Sequence, residues 1–219
     1  MNVGVVRCGL WANDLTRLRR PRPFRGDYAV VEVLPALASR LAAAMEVEEC
    51  HIQGRLKRGC RAFAVQCGRG EIASWLWVST CEEWAPPLGR TVRFLEADCY
   101  GWNAGTVQCH RGQGLCTALL ECAGWQMARE GCHTMWNGII DGNLASQRAH
   151  ARAGYRPVLR VSAVHQLPPT RLFVRPADYA DERLVERARR VVGLPATALA
   201  AEAQNGSEAA AVRPAGRRS

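Results

Sequence analysis

The chain has 219 residues, 48% of them hydrophobic and 22% charged, which excludes a disordered or fibrous protein and leaves room for one compact domain with its own core. Its net charge of +9 comes almost wholly from arginine, Lys57 being the only lysine, and favours anionic partners without choosing among nucleic acid, phosphorylated cofactors and acidic substrates. No run approaches the roughly 18 apolar residues of a membrane span, and the opening MNVGVVRCGLWAND has no basic segment leading into an apolar one, so a cytoplasmic protein with no membrane partner is expected.

The first 27 residues read as a basic N-terminal arm, because RLRRPRPFRG, Arg17 to Gly26, is broken by Pro21 and Pro23. Nucleic acid could bind such an arm, but Phe24 is its one aromatic and a solvated basic segment is the commoner outcome. DYAVVEVL then predicts a strand, and PALASRLAAAMEVEE a helix with Pro35 in its first turn. CRAFAVQC and EIASWLWVST form two apolar strands of a hairpin, with Trp75 and Trp77 on one face. Core packing is the plainer role for these tryptophans and a substrate wall the alternative.

Beyond Pro86 and Pro87, TVRFLEADCYGWNAGTVQC is extended but interrupted by turn-type residues from Asn103 to Gly105, which leaves one bulged strand or two. A helix is expected from Gln113 to Glu130, with Leu115, Leu119, Cys122 and Trp125 as its apolar stripe and Gly131 as its stop. HTMWNGII is the next strand, NLASQRAHARAG a short helix, and YRPVLRVSAV and TRLFVRP the last strands. DERLVERARRVV is amphipathic. The expected domain therefore runs from 28 to 194, and the alanine-rich residues 195–219 are expected to be disordered. Ten cysteines without any CxxC spacing read as reduced, mostly buried thiols, with no metal site.

The stretch CHRGQGLCTALL, Cys109 to Leu120, joins a strand to a helix. Backbone N–H groups from Arg111 to Cys116 would lie at the helix N-terminus, where they lack intrahelical partners. Gly112 and Gly114 can take positive φ and bare the backbone, so the loop is either an anion nest suited to pyrophosphate or a ligand-free glycine turn. It contains no lysine for a Walker A loop, and Thr117 stands where a dinucleotide fingerprint has its third glycine.

RGQGLC resembles the acyl-CoA loop, R/Q-x-x-G-x-G/A, of the GCN5-related N-acetyltransferase (GNAT) superfamily, with Cys116 in place of the final small residue. A second superfamily pattern is matched by NLASQRAHARAGY through Asn143, Ser146, His150, Gly154 and Tyr155. The resemblance covers Trp102 to Val164. It implies an α/β fold with a mixed central sheet flanked by helices, in which two splayed parallel strands, ending near Cys109 and Ile140, form the acyl-CoA cleft. It implies acetyl transfer from acetyl-CoA to a primary amine by direct attack in a ternary complex.

On that resemblance the backbone of Gly112, Gln113, Gly114, Leu115 and Cys116 would hold the pyrophosphate, with Arg111 adding charge. The main chain of Val107 to Cys109 would pair with the pantetheine arm, and Asn143, with Ser146, would meet the cofactor or cap the second helix. His150 stands where many members carry the tyrosine that protonates the departing thiolate. Glu96 and Asp98, two apart on a presumed strand, are the candidate general bases, or else a solvated sheet edge. Cys116, at a helix N-terminus, is expected to have a lowered pKa. The competing readings are an inactive acyl-CoA-binding module and a nucleic-acid-associated scaffold. Acceptor identity, and whether the protein is a monomer or a homodimer, are not encoded in any motif.

Overall fold

The structure is a computed structural model that describes residues 4–21, 26–165 and 170–194; the expected C-terminal tail and part of the basic run lie outside the described residues. Its elements are β1 (Gly4–Asp14), β2 (Tyr28–Glu32), α1 (Ala38–Met45), α2 (Glu49–Lys57), β3 (Arg61–Cys67), β4 (Ile72–Ser79), β5 (Glu82–Ala85), β6 (Arg90–Arg93) and β7 (Asp98–Thr106). They continue with α3 (Leu115–Arg129), β8 (Thr134–Ile140), α4 (Leu144–Arg152), β9 (Arg156–His165), β10 (Arg171–Pro176) and α5 (Glu182–Val191). Eight strands make one sheet in the order β10-β9-β1-β8-β7-β4-β3-β2, while β5 and β6 form a separate hairpin. Among the described residues only β7 and β8 pair in parallel, as expected of strands joined through a helix, here α3.

Alternation along the strands divides the core into two faces. Leu76, Cys99 and Met135 point to one face, where Leu115, Leu119, Leu120, Ala123 and Met127 of α3 cover them. Trp77 points to the other, under Leu41 of α1 and Ile52 of α2. Tyr100 and Trp136 share that second face under Ala188 and Val191 of α5. Trp102 packs against both clusters of the second face and bridges them. The mixed sheet flanked by helices is the architecture that the sequence predicts.

Two expectations change, and one question left open by the sequence is answered. Residues 4–14 are no arm but an inner strand, β1, paired antiparallel with both β8 and β9. Cys8, Gly9 and Leu10 are buried in succession because both faces of this strand are covered, which erases the two-residue alternation that would have announced it. The helix from Pro35 breaks in two. Glu46 takes a left-handed conformation (φ 55°), with its N–H on the Ala43 carbonyl and the Val47 N–H on the Ala42 carbonyl, a glycine-free Schellman stop. Thr91 to Thr106 is two strands, β6 and β7, parted by a turn in which Ala97 has φ 63°. Within β7 the pairs Trp77 with Trp102 and Trp75 with Gly105 leave Asn103 and Ala104 opposite Leu76 alone, a bulge with Asn103 at φ 46°.

The inner position of β1 makes a measurable distinction. Leu10, 3% exposed, should cost about 2–5 kcal/mol on substitution to alanine in urea-unfolding experiments. A loss within about 0.5 kcal/mol would mean that the segment is dispensable.

Candidate functional site

The parallel pairing of β7 and β8 runs from Asp98 opposite Thr134 to Gly101 opposite Asn137 and stops there. Beyond it the strands part, and the opening is wedged on both faces. On the α3 face the Asn137 side chain lies over Gly101, where a Cβ would come within 2.7 Å of its Nδ2. On the opposite face the Tyr100 hydroxyl lies over Gly138, where a Cβ would be 2.9 Å from it. Each glycine therefore accommodates a side chain from the neighbouring strand.

Past the fork, β7 leads into a 3-10 turn over Gln108–His110 and then to α3. Arg111 is extended, Gly112 and Gly114 have φ 78° and 76°, and Gly114 caps α3. The first bond into the helix is Ala118 N–H to the Gly114 carbonyl, and the N–H groups of Gly112 through Cys116 find no acceptor among the described residues. A Cβ built on either glycine meets open space. These bare, convergent donors at the positive end of a fifteen-residue helix suit a pyrophosphate. Tyr28 of β2 steadies the loop: its hydroxyl lies 2.9 Å from His110 Nδ1 and donates to Gln113 Oε1 at 3.1 Å. Leu115 is buried at the helix start.

The strand end itself is less available than the sequence suggests. Val107 donates its N–H to the Ala73 carbonyl at 2.9 Å and accepts at its own carbonyl from His110 N–H at 2.9 Å, while Gln108 accepts from Arg111 N–H. The main-chain groups of Val107 and the Gln108 carbonyl, expected to meet a pantetheine arm, are thus already bonded within the chain. Arg111 folds back so that its Nε donates to the Thr106 carbonyl at 3.1 Å.

On the α4 side Asn143 is the helix cap, its Oδ1 accepting from Ser146 N–H at 3.0 Å. His150 is 2% exposed; its Nδ1 lies 2.8 Å from the Ser146 carbonyl, so that nitrogen carries the proton. Burial lowers its pKa below the usual 6.5, with the Ser146 bond opposing. A neutral imidazole protonated on Nδ1 offers a lone pair at Nε2 and no acidic proton there. That Nε2, the Tyr155 hydroxyl and Asn137 Oδ1 are buried without partners among the described residues. His150 and Tyr155 meet edge to face at 5.1 Å between centroids. Buried polar atoms left without partners are costly.

The expected bases are not brought to the fork. Glu96 lies exposed in the turn before β7, and the positive φ of Ala97 breaks the two-residue register with Asp98. Asp98 is 2% exposed and accepts a short hydrogen bond from Arg187 of α5; burial raises its pKa, with the Arg187 charge acting against that rise. It lies four residues before Trp102, roughly 13 Å along the strand. The Cys116 thiol also departs from expectation: burial pushes its pKa up to about 11, outweighing any helix-terminal stabilisation of the thiolate. All ten cysteines are free thiols.

On the opposite face of the fork the structure assembles residues that no motif marks. Arg55 of α2 lies over the rings of Trp77 and Trp102, which stack on each other at 5.7 Å. Trp102 Nε1 donates to Ser79 Oγ at 2.9 Å, and Ser79 Oγ donates to Glu83 Oε2 at 2.9 Å. These residues come from four separate elements, so sequence spacing carries no trace of their meeting.

The fold is that of the GCN5-related N-acetyltransferases. The chain is similar to a putative GNAT-family acetyltransferase from Novosphingobium aromaticivorans (16% identity, TM-score 0.52, covering 74% of this chain and 65% of that one). It is similar to a GCN5-related N-acetyltransferase from Sphaerobacter thermophilus (13% identity, TM-score 0.54, 80% and 53%). A third likeness is to the GCN5-related glucosamine N-acetyltransferase region of a fungal multi-domain β-N-acetylglucosaminidase (14% identity, TM-score 0.57, 78% and 21%). The chain thus spans less than two thirds of the length of these proteins. A scan of protein-family profiles and a search of curated proteins by sequence each give no match. No helix among the described residues is long and apolar enough to cross a membrane.

The thiols provide a direct check. At pH 8 the exposed Cys81 and Cys109 should react with iodoacetamide at least about tenfold faster than Cys116, whose thiolate fraction is depressed. Peptide mapping that finds Cys116 among the fastest would overturn this account of the loop.

Proposed function

We propose that the protein is an acyl-CoA-dependent N-acyltransferase, with acetyl-CoA as donor and a primary amine as acceptor. The observation that carries the reading is the run of N–H groups from Gly112 through Cys116 that find no acceptor among the described residues, on the loop that follows β7 beyond the end of its parallel pairing. The GNAT fold supports it. The loop would hold the pyrophosphate and the fork would admit the acyl arm, so that donor and acceptor meet from opposite faces of the sheet and attack becomes effectively unimolecular.

In the reaction the free amine nitrogen attacks the thioester carbonyl carbon. A C–N bond forms and the C–S bond breaks, the electron pair leaving with sulfur. An ammonium acceptor sheds two protons in becoming an amide; one ends on the coenzyme thiol and the other in solvent. His150, neutral and buried with no partner for Nε2 among the described residues, is built to take up a proton before it can deliver one. In this reading it receives a proton released at the amine and returns it to the thiolate, so its role is relay rather than standing acid. Asp98, bound to Arg187, steadies the base of β7.

Titration calorimetry with acetyl-CoA tests the cofactor claim. One saturable site is expected, weakened at least about 100-fold in Gly114→Glu, whose carboxylate would lie against the phosphates. Absence of binding to folded protein, or equal binding by Gly114→Glu, would contradict it. The relay has its own signature. Because the His150 pKa is depressed, kcat/KM should hold above pH 6.5 and fall as pH drops through that lower value, and this acidic limb should vanish in His150→Phe. A limb retained in His150→Phe would assign it to another group.

A further inference from the structure

Arg55 sits at the fork on the face away from α3. Its Cζ is 4.9 Å from the Trp102 ring centre and 5.1 Å from that of Trp77. Trp102 is the first residue of β7 past the last parallel rung, and the bulge that follows brings Asn103 to the same guanidinium. With its amide oxygen turned towards the arginine, Asn103 accepts from Nη1 at 2.9 Å and from Nη2 at 3.3 Å. Among the described residues no carboxylate lies within ion-pair distance of Arg55, whereas the neighbouring Arg58 pairs with Glu83. The charge is nonetheless partly stripped of water, and burial depresses its pKa.

A guanidinium held over two indoles, oriented by a neutral amide and left with free N–H donors, is arranged to receive a planar anion. It stands beside the route by which an acceptor would reach the acyl group. Glu83 acts on the same arginine through its negative charge, which repels a dianion such as phosphate more strongly than a single negative charge. We infer that Arg55, with Trp102 and Asn103, binds the carboxylate of the acceptor, so that the acceptor is an amino acid rather than a simple amine. This inference rests on the acyltransferase reading above and narrows its acceptor.

The test compares each proteinogenic L-amino acid with its own decarboxylated amine, using acetyl-CoA as donor and mass-spectrometric detection of the acetylated product. At least one acid should exceed its amine in kcat/KM by about 10- to 100-fold, the scale of a charge-assisted bond, and the ratio should collapse towards one in Arg55→Gln. Arg55→Lys, which keeps the charge but loses the planar fork, should retain an intermediate ratio. Tryptophan fluorescence gives a readout without turnover: the preferred acid should change the emission of the wild type and leave that of Arg55→Gln unaltered.

Calorimetry with acetyl-CoA on every variant separates the possible failures. If acetyl-CoA binds and no acid is preferred over its amine, or the preference survives in Arg55→Gln, the carboxylate assignment is wrong while the donor site stands. If acetyl-CoA does not bind, the acyltransferase reading fails. The fluorescence titration then decides Arg55 separately: an acid response that depends on Arg55 keeps the carboxylate site, and none in the wild type removes it.

Discussion

The parallel contact between β7 and β8 is short, and the geometry of the site depends on where it ends. Two glycines set that end. Gly101 leaves room for the Asn137 side chain on one face, and Gly138 leaves room for the Tyr100 hydroxyl on the other, so a side chain crosses to the neighbouring strand above and below the sheet where the pairing ends. A methyl group at either position would meet a neighbour at under 3.0 Å. The bulge at Asn103 then turns β7 away, presenting Trp102 to α2 and carrying the chain towards the loop that opens α3.

The positive charge of the protein is distributed less simply than its composition suggests. Arg61 is held by Glu32 and Glu130, which fasten β3 to β2 and to the end of α3, and Arg187 is held by Asp98 across the second face. Such pairs position elements; exposed ones among them contribute little to stability. At the fork the loop instead offers neutral N–H dipoles, which can meet phosphate without burying a countercharge, and Arg55 is held by aromatic rings and an amide rather than by an acid. On the reading proposed above, the two faces of the site carry two different anion-directed groups, one made of backbone and one of side chain.

Much of the frame was legible because its signals are local. The hairpin of β3 and β4, the α3 and α4 helices, the Asn143 cap and the glycine loop each occupy one short stretch whose residues declare their backbone conformation. What the residues hid was set by tertiary contacts. β1 lost its alternation because it is covered on both faces, and the α1 stop used Glu46 where glycine would have marked it. Burial overrode two chemical expectations, raising the Cys116 pKa at a helix start and holding His150 neutral with its proton on Nδ1. The Arg55 cluster draws on α2, β4 and β7, and its members become neighbours only when the sheet closes.

Amide hydrogen exchange at residues 112–116, followed with and without acetyl-CoA, addresses the central claim most directly. The account predicts rapid exchange at these N–H groups in the free protein, because no described residue accepts them, and strong protection once the cofactor is bound, with the α3 core protected in both states. Slow exchange in the free protein would show that the donors are already satisfied within the chain. Rapid exchange that persists at saturating acetyl-CoA would show that the loop does not hold the phosphates. Either result would contradict the account.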